Sequence, residues 1–141
     1  MKIYLDIDGT ILTKQGEPAP FLFEFLEYVT KEHSCYWLTT HCRDGNADVP
    51  CRYLSQRIDD GAGWIYRIKP TKWDVLKTDA LDFTQEFLWF DDYIMDAEMK
   101  VLEEHGVVRN FVKVDLSKNP EQLRECMIAL EKSFGVPTWK S

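Results

Sequence analysis

The chain has 141 residues, 45% of them apolar and 13% aromatic, which is enough for one hydrophobic core at the size of an ordinary domain. Charged residues make up 29% and the formal charge is -7, with no run of Lys and Arg. This balance argues against disorder and against extended nucleic-acid binding, which needs basic side chains to neutralise phosphates; it leaves room for a local basic pocket and a phosphorylated substrate.

An apolar strand is expected over residues 2–7, ending in Asp-Ile-Asp-Gly-Thr. A turn-rich stretch with Gly16, Pro18 and Pro20 follows. Phe21, Leu22, Phe25, Leu26 and Val29 then fall three and four apart, the spacing of a helix over 21–31. Residues 35–38 form a second strand, closed by Thr39, Thr40 and His41. After a loop around Asp44 to Asn46, Leu54 and Ile58 mark a helix over 49–59, ended by Gly61 and Gly63.

Residues 64–68 alternate like a third strand. Pro70 then breaks the chain before a helix over 71–81. Residues 86–90 are a fourth strand, closed by Asp91 and Asp92. Met95, Met99 and Leu102 mark a helix stopped by Gly106, and residues 107–114 a fifth strand. The last helix takes Asn119 as N-cap, Pro120 as first helical residue and Gln122 in a capping-box-like position. Its buried face is Leu123, Met127 and Leu130, and Gly135 with Pro137 ends it.

Strands alternating with helices at this rhythm predict an α/β fold: a Rossmann-like three-layer α/β/α sandwich around a mostly parallel, five-stranded sheet. No repeat, low-complexity segment or linker divides it, so residues 1–141 are expected to form one domain. The opening MKIYLDID puts an aspartate where a signal peptide needs its apolar stretch. No apolar run approaches the roughly 18 residues of a membrane span. Cys35, Cys42, Cys51 and Cys126 include no CxxC pair, so reduced thiols in a cytoplasmic protein are expected. His41, Cys42 and Cys51 fit no familiar zinc spacing and lack a fourth ligand.

In open parallel sheets, ligands bind beyond the carboxyl ends of the strands. Polar residues gather at those ends: Asp6 and Asp8, then Thr39 and Thr40, then Asp91 and Asp92. DIDGT after the first strand, WLTT ending the second, a lysine near a later helix and FDDYIMD after the fourth resemble the four motifs of the haloacid dehalogenase superfamily, in order, from Asp6 to Asp96.

That resemblance implies a magnesium-dependent phosphohydrolase. Asp6 would attack phosphorus to form an aspartyl-phosphate, and Asp8 would act as general acid and then base. Mg2+ would be held by the Asp6 side chain, the Asp8 backbone carbonyl and Asp92, a hard-oxygen set suited to that cation. Thr39 matches the hydroxyl residue that contacts the phosphoryl oxygen, with Thr40 beside it. Lys72 matches the motif lysine, with Lys69 and Lys77 as competitors. Asp91 and Asp96 are expected to support the metal ligands or their waters, Asp96 alternatively capping a helix. His41 and Arg43 follow the second strand, near where a leaving group would lie, or are plain loop residues.

About thirty residues separate the first motif from the second and the second from the third, which leaves no room for a cap domain. Cap-less members of the family often take large substrates, such as proteins or nucleic-acid ends, or oligomerise to cover the site. The phosphorylated substrate can therefore be a small molecule or a macromolecular end. A non-catalytic domain of the same family, binding a phosphorylated ligand or protein partner, is the alternative. A nucleotide-sugar glycosyltransferase, the other home of a DxD motif, needs more chain ahead of it than the five residues before Asp6.

Overall fold

Four parallel strands in the order β2-β1-β3-β4 form the sheet of the computed structural model, which describes residues 1–59, 63–135 and 139. The strands are β1 (Lys2–Leu5), β2 (Ser34–Trp37), β3 (Phe87–Asp91) and β4 (Phe111–Lys113). Four helices connect or follow them: α1 (Leu22–Glu32), α2 (Asp48–Ser55), α3 (Asp96–Glu104) and α4 (Gln122–Phe134). Leu5 pairs with Trp37 on one side and Phe90 on the other, so the carboxyl ends of three strands come out level.

The central strands β1 and β3 are buried on both faces, and the strand side chains alternate between two clusters as the pleat requires. Ile3, Leu5, Cys35, Trp37 and Phe90 join the core that takes Phe25 and Val29 of α1, Leu54 of α2 and Leu123 of α4. Tyr4, Leu38, Phe87 and Trp89 face the other way, onto Leu102 of α3. Helices thus lie on both faces of the sheet. The buried stripe of α4 is Leu123, Met127 and Leu130, as its spacing predicts. No helix among the described residues is long and apolar enough to cross a membrane.

The predicted third strand, residues 64–68, does not form, which leaves four strands among the described residues. Trp64–Arg67 is a 3-10 helix; Ile65 within it and Ile68 just after it are buried, three apart as in the 3-10 repeat, while Tyr66 points to solvent. What remains of a strand is one bridge: Lys69 N–H donates to Cys35 O at 2.9 Å and Lys69 O accepts from Trp37 N at 2.8 Å. Beyond it Trp37 O accepts the Thr71 hydroxyl in place of a backbone N–H, and the ladder ends.

The helix expected over 71–81 also gives way. Lys72 forms a bridge with Asp44, Trp73 N–H donates to Arg43 O at 2.9 Å, and the Trp73 indole donates to Cys42 O at 3.0 Å. These bonds hold the chain extended, and only Lys77–Ala80 coils, as a 3-10 turn. Residues 107–114 split into a 3-10 turn, Val108–Asn110, and the short β4. The predicted caps of α4 are used otherwise: Gln122 accepts from Asp115 N and donates to Lys113 O, both at 2.7 Å, tying the helix to the end of β4 instead of closing a capping box. The helix starts at Gln122, so Asn119 and Pro120 precede it. Gly61 and Pro137, expected as helix stops, lie outside the described residues.

Candidate active site

The sheet edge fixes Asp6 before any side chain is considered. Its N–H donates to Phe90 O at 3.0 Å, continuing the β1–β3 ladder one residue beyond β1. Asp91 ends β3 beside it, and Asp92 follows. Asp6, Asp91 and Asp92 each offer an oxygen within 4.8 Å of the others, two of the residues buried and Asp92 half-buried. Gly9 explains how Asp92 comes so close. It has φ +79°, and a Cβ there would stand 2.4 Å from Asp92 Oδ2.

Three carboxylates so close need a cation. Lys77 supplies one, with Nζ 2.7 Å from Asp91 Oδ2 and 3.4 Å from Asp6 Oδ1. Burial pushes the Asp6 carboxyl up from its ordinary value, and the Lys77 charge pulls it down without cancelling that. Asp91 is raised by burial first and by the Asp6 charge second, against the same lysine. Burial disfavours the Lys77 ammonium, but Asp6 and Asp91 outweigh this and hold it protonated more firmly than in water. Asp91 also accepts from the Trp89 indole at 3.3 Å and from Tyr93 N–H at 3.2 Å, so it is tied down by three donors.

Lys72, the residue expected in this position, is exposed on the segment paired with Asp44, and Lys69 lies over the Tyr36 ring. The expected helix would have brought Lys72 to the sheet edge. The extended path carries the chain five residues further before a lysine reaches Asp6. Lys77 is then fixed by a residue the sequence reading passed over. Buried Glu98, in the first turn of α3, accepts Lys77 N–H at 2.7 Å and Met95 N–H at 3.0 Å. Its signal was a glutamate at the third position of a helix, where a carboxylate commonly turns back to the chain ahead. Asp96, expected to support the metal site, is instead the exposed first residue of α3, away from the pocket.

Asp8 stands apart from this cluster. Tyr53 donates its hydroxyl to Asp8 Oδ1 at 2.5 Å, and His41 Nε2 lies 2.7 Å from Oδ2. Burial raises the Asp8 carboxyl, but the bonds from Tyr53 and His41 outweigh it and hold the group below its ordinary value. Thr39 is 1% exposed and its hydroxyl accepts His41 N–H at 3.3 Å, which leaves its own proton to donate. Thr40 is exposed and lines the pocket. Arg43 reaches the same wall, its guanidinium donating to Asp74 O and lying 4.8 Å from the Trp73 ring.

The pocket has a volume of about 400 Å³, and its floor carries Asp6, Asp91 and Lys77. Its mouth is largely apolar: Val75 is 67% and Tyr93 65% exposed, and Trp73 and Met95 also line it, beside Thr40 and Arg43. On its far side Asp92 borders a second cleft of about 320 Å³ that includes Lys14 and Lys113. No protein-family model, curated protein or solved structure matches the chain.

Proposed function

We propose that the chain is a magnesium-dependent phosphohydrolase of haloacid dehalogenase type, acting on phosphomonoesters through an aspartyl-phosphate on Asp6. In this reading the parallel sheet and its two helix layers are a Rossmann-like sandwich, one domain without a cap, working in the cytoplasm. The observation that carries it is the meeting of Asp6, Asp91 and Asp92 with Lys77 at the carboxyl ends of β1 and β3, the edge where parallel sheets bind ligands.

The donor set fits magnesium. Asp6 and Asp92 offer carboxylate oxygens of the hard kind it prefers, and Asp91 is already committed to Lys77, Trp89 and the Tyr93 amide. Mg2+ would be held by Asp6, Asp92 and the Asp8 carbonyl. It would supply charge neutralisation between the nucleophile and the phosphoryl oxygens.

The chain's own residues do the rest. Asp6 forms the bond to phosphorus, and Lys77 neutralises charge on the nucleophile and the phosphoryl group. Thr39 or Thr40 donates a hydroxyl bond to a phosphoryl oxygen. Asp8 protonates the leaving oxygen and then takes a proton from the attacking water. Arg43 and the apolar mouth meet the leaving group, which favours a substrate with an apolar part.

The test is hydrolysis of 4-nitrophenyl phosphate by wild type and Asp6→Asn, with and without Mg2+. Turnover that needs Mg2+ and vanishes in Asp6→Asn supports the reading. Activity that survives the substitution sinks it.

A further inference from the structure

Asp8 follows the catalytic strand, and half of its side-chain surface (51%) is open to solvent. A carboxylate that exposed would ordinarily be hydrated and free to change rotamer. Here each oxygen has its own donor. Tyr53 of α2 holds Oδ1 at 2.5 Å, and His41, from the loop after β2, holds Oδ2 at 2.7 Å. Facing an ionised carboxylate, which only accepts, His41 Nε2 must carry the proton.

The two donors also fix each other. Their rings stack with centroids 3.8 Å apart and planes at 27°. The Arg57 guanidinium lies 3.7 Å from the Tyr53 ring, and at those distances it and His41 must occupy opposite faces. Arg57 also donates to Tyr53 O at 2.8 Å, one turn back along the chain. Tyr53 is therefore sandwiched, and its hydroxyl is aimed at Asp8.

We infer that Tyr53 and His41 are positioning residues, holding Asp8 where it passes a proton to the leaving oxygen of an alkyl phosphomonoester. The inference rests on the phosphohydrolase reading above. Asp8 enters the cycle by taking a proton from solvent through its open side, on a lone pair that neither donor occupies. In the first step the Asp6 Oδ–P bond forms, the P–O bond to the alcohol breaks, and that proton passes from Asp8 to the alcohol oxygen. In the second, water attacks phosphorus, its proton goes to Asp8, and the Asp6–P bond breaks. The sum is ester plus water giving alcohol plus phosphate.

An alkoxide is a poor leaving group and needs that proton, whereas nitrophenolate leaves without it. General acid catalysis is worth about 10²–10⁴-fold, and it depends on alignment. Loosening the clasp must therefore harm alkyl esters more than nitrophenyl esters. A purely structural role would harm both alike.

The experiment compares kcat/KM for 4-nitrophenyl phosphate with kcat/KM for benzyl phosphate, which has a similar ring but an alkoxide leaving group; kcat/KM reports the step in which the alcohol leaves and omits the shared hydrolysis of the Asp6 phosphoryl group. In Tyr53→Phe the nitrophenyl-to-benzyl ratio is expected to rise about tenfold, a part of the general-acid factor. His41→Phe, which keeps a stacking ring but no donor, should raise it too, and His41→Gln, which keeps a donor, should restore part of it. On an Asp8→Asn background Tyr53→Phe should leave the ratio unmoved. Equal losses on both esters, a ratio change that persists without Asp8, or a wild type that cleaves only the nitrophenyl ester overturns the inference. Should Tyr53→Phe fail to fold by circular dichroism, the His41 pair decides. If wild type cleaves neither ester, or Asp6→Asn keeps its activity, the phosphohydrolase reading falls and takes this one with it.

Discussion

Lys77 Nζ lies 2.7 Å from Asp91 Oδ2, and this pair sets the charge next to Asp6. Asp91 shows 2% of its side chain and Lys77 14%, so neither is well solvated on its own. Lys77→Met would leave two neighbouring carboxyl groups without their cation. Removing one partner of a buried pair costs about 3–5 kcal/mol, and the lower end applies because Asp6 and Asp91 can take up a proton. Urea unfolding should show that loss, and kcat should fall about 10²-fold, as for loss of one transition-state donor. Lys72→Ala, on an exposed side chain, should move stability by no more than about 0.5 kcal/mol and leave turnover unaltered.

Gly9 and Gly16 separate backbone cost from site cost. Both have positive φ, +79° and +83°, but a Cβ on Gly9 meets Asp92 Oδ2 at 2.4 Å while one on Gly16 meets nothing within 4 Å. Each alanine substitution should cost about 1–2 kcal/mol for the left-handed backbone. Only Gly9→Ala must also push Asp92 aside. Calorimetric titration with Mg2+ should therefore show about tenfold weaker binding for Gly9→Ala and no change for Gly16→Ala. Equal affinities in the two variants would remove Asp92 from the ligand set.

The sequence was readable wherever one period dominated. Ile3 and Leu5 against Tyr4, and Phe87 and Trp89 against Phe90, alternate because each strand is buried on both faces, and α1 and α4 carry unbroken stripes. It misled where buried residues were few. Trp64 to Ile68 has four apolar residues, of which only Ile65 and Ile68 are buried, too little to tell period two from period three. The segment after Pro70 has helix-compatible residues, but its backbone bonds go to the loop at Cys42 to Asp44, a pairing no local pattern announces. With that helix went the expected place of Lys72, and Lys77, its competitor, stands beside Asp6 and Asp91. Asp6 and Asp92 were legible because strand ends put them at the sheet edge whatever the connections do. Tyr53 and Glu98 were not, since one lies 45 residues from Asp8 and the other 21 from Lys77.

Glu98 is a positioning residue whose role can be read without turnover. Glu98→Ala strips the acceptor from two backbone N–H groups, Lys77 and Met95, in a half-buried setting. The loss should be about 1–3 kcal/mol for each donor left without a partner, reduced where water enters. Glu98→Gln has one carbonyl oxygen for two donors and should lie between wild type and alanine. Hydrogen exchange should quicken at the Lys77 and Met95 amides in both variants. Asp96→Ala should cost only the helix-terminus effect of about 0.3–1 kcal/mol and leave those amides protected.

Asp82 predicts an acid window of its own. Its Oδ1 accepts the Thr84 hydroxyl at 2.5 Å and the Thr84 N–H at 3.0 Å, and Oδ2 accepts Lys2 Nζ at 2.9 Å. The Thr84 hydroxyl bond first, and Lys2 next, bring the carboxyl down to about 2 from an ordinary 3.8. A carboxylate depressed in the folded state adds stability that is complete above its unfolded pKa and is lost as pH falls through the folded one. The contribution should thus be constant above about pH 4, shrink between pH 4 and 2, and be gone below that. Asp82→Asn cannot ionise, so urea midpoints of wild type and variant should differ by a fixed amount at pH 5 and 6 and converge toward pH 2. A gap that stays constant down to pH 2 would show that the Lys2 and Thr84 bonds give Asp82 no preference for its charged form.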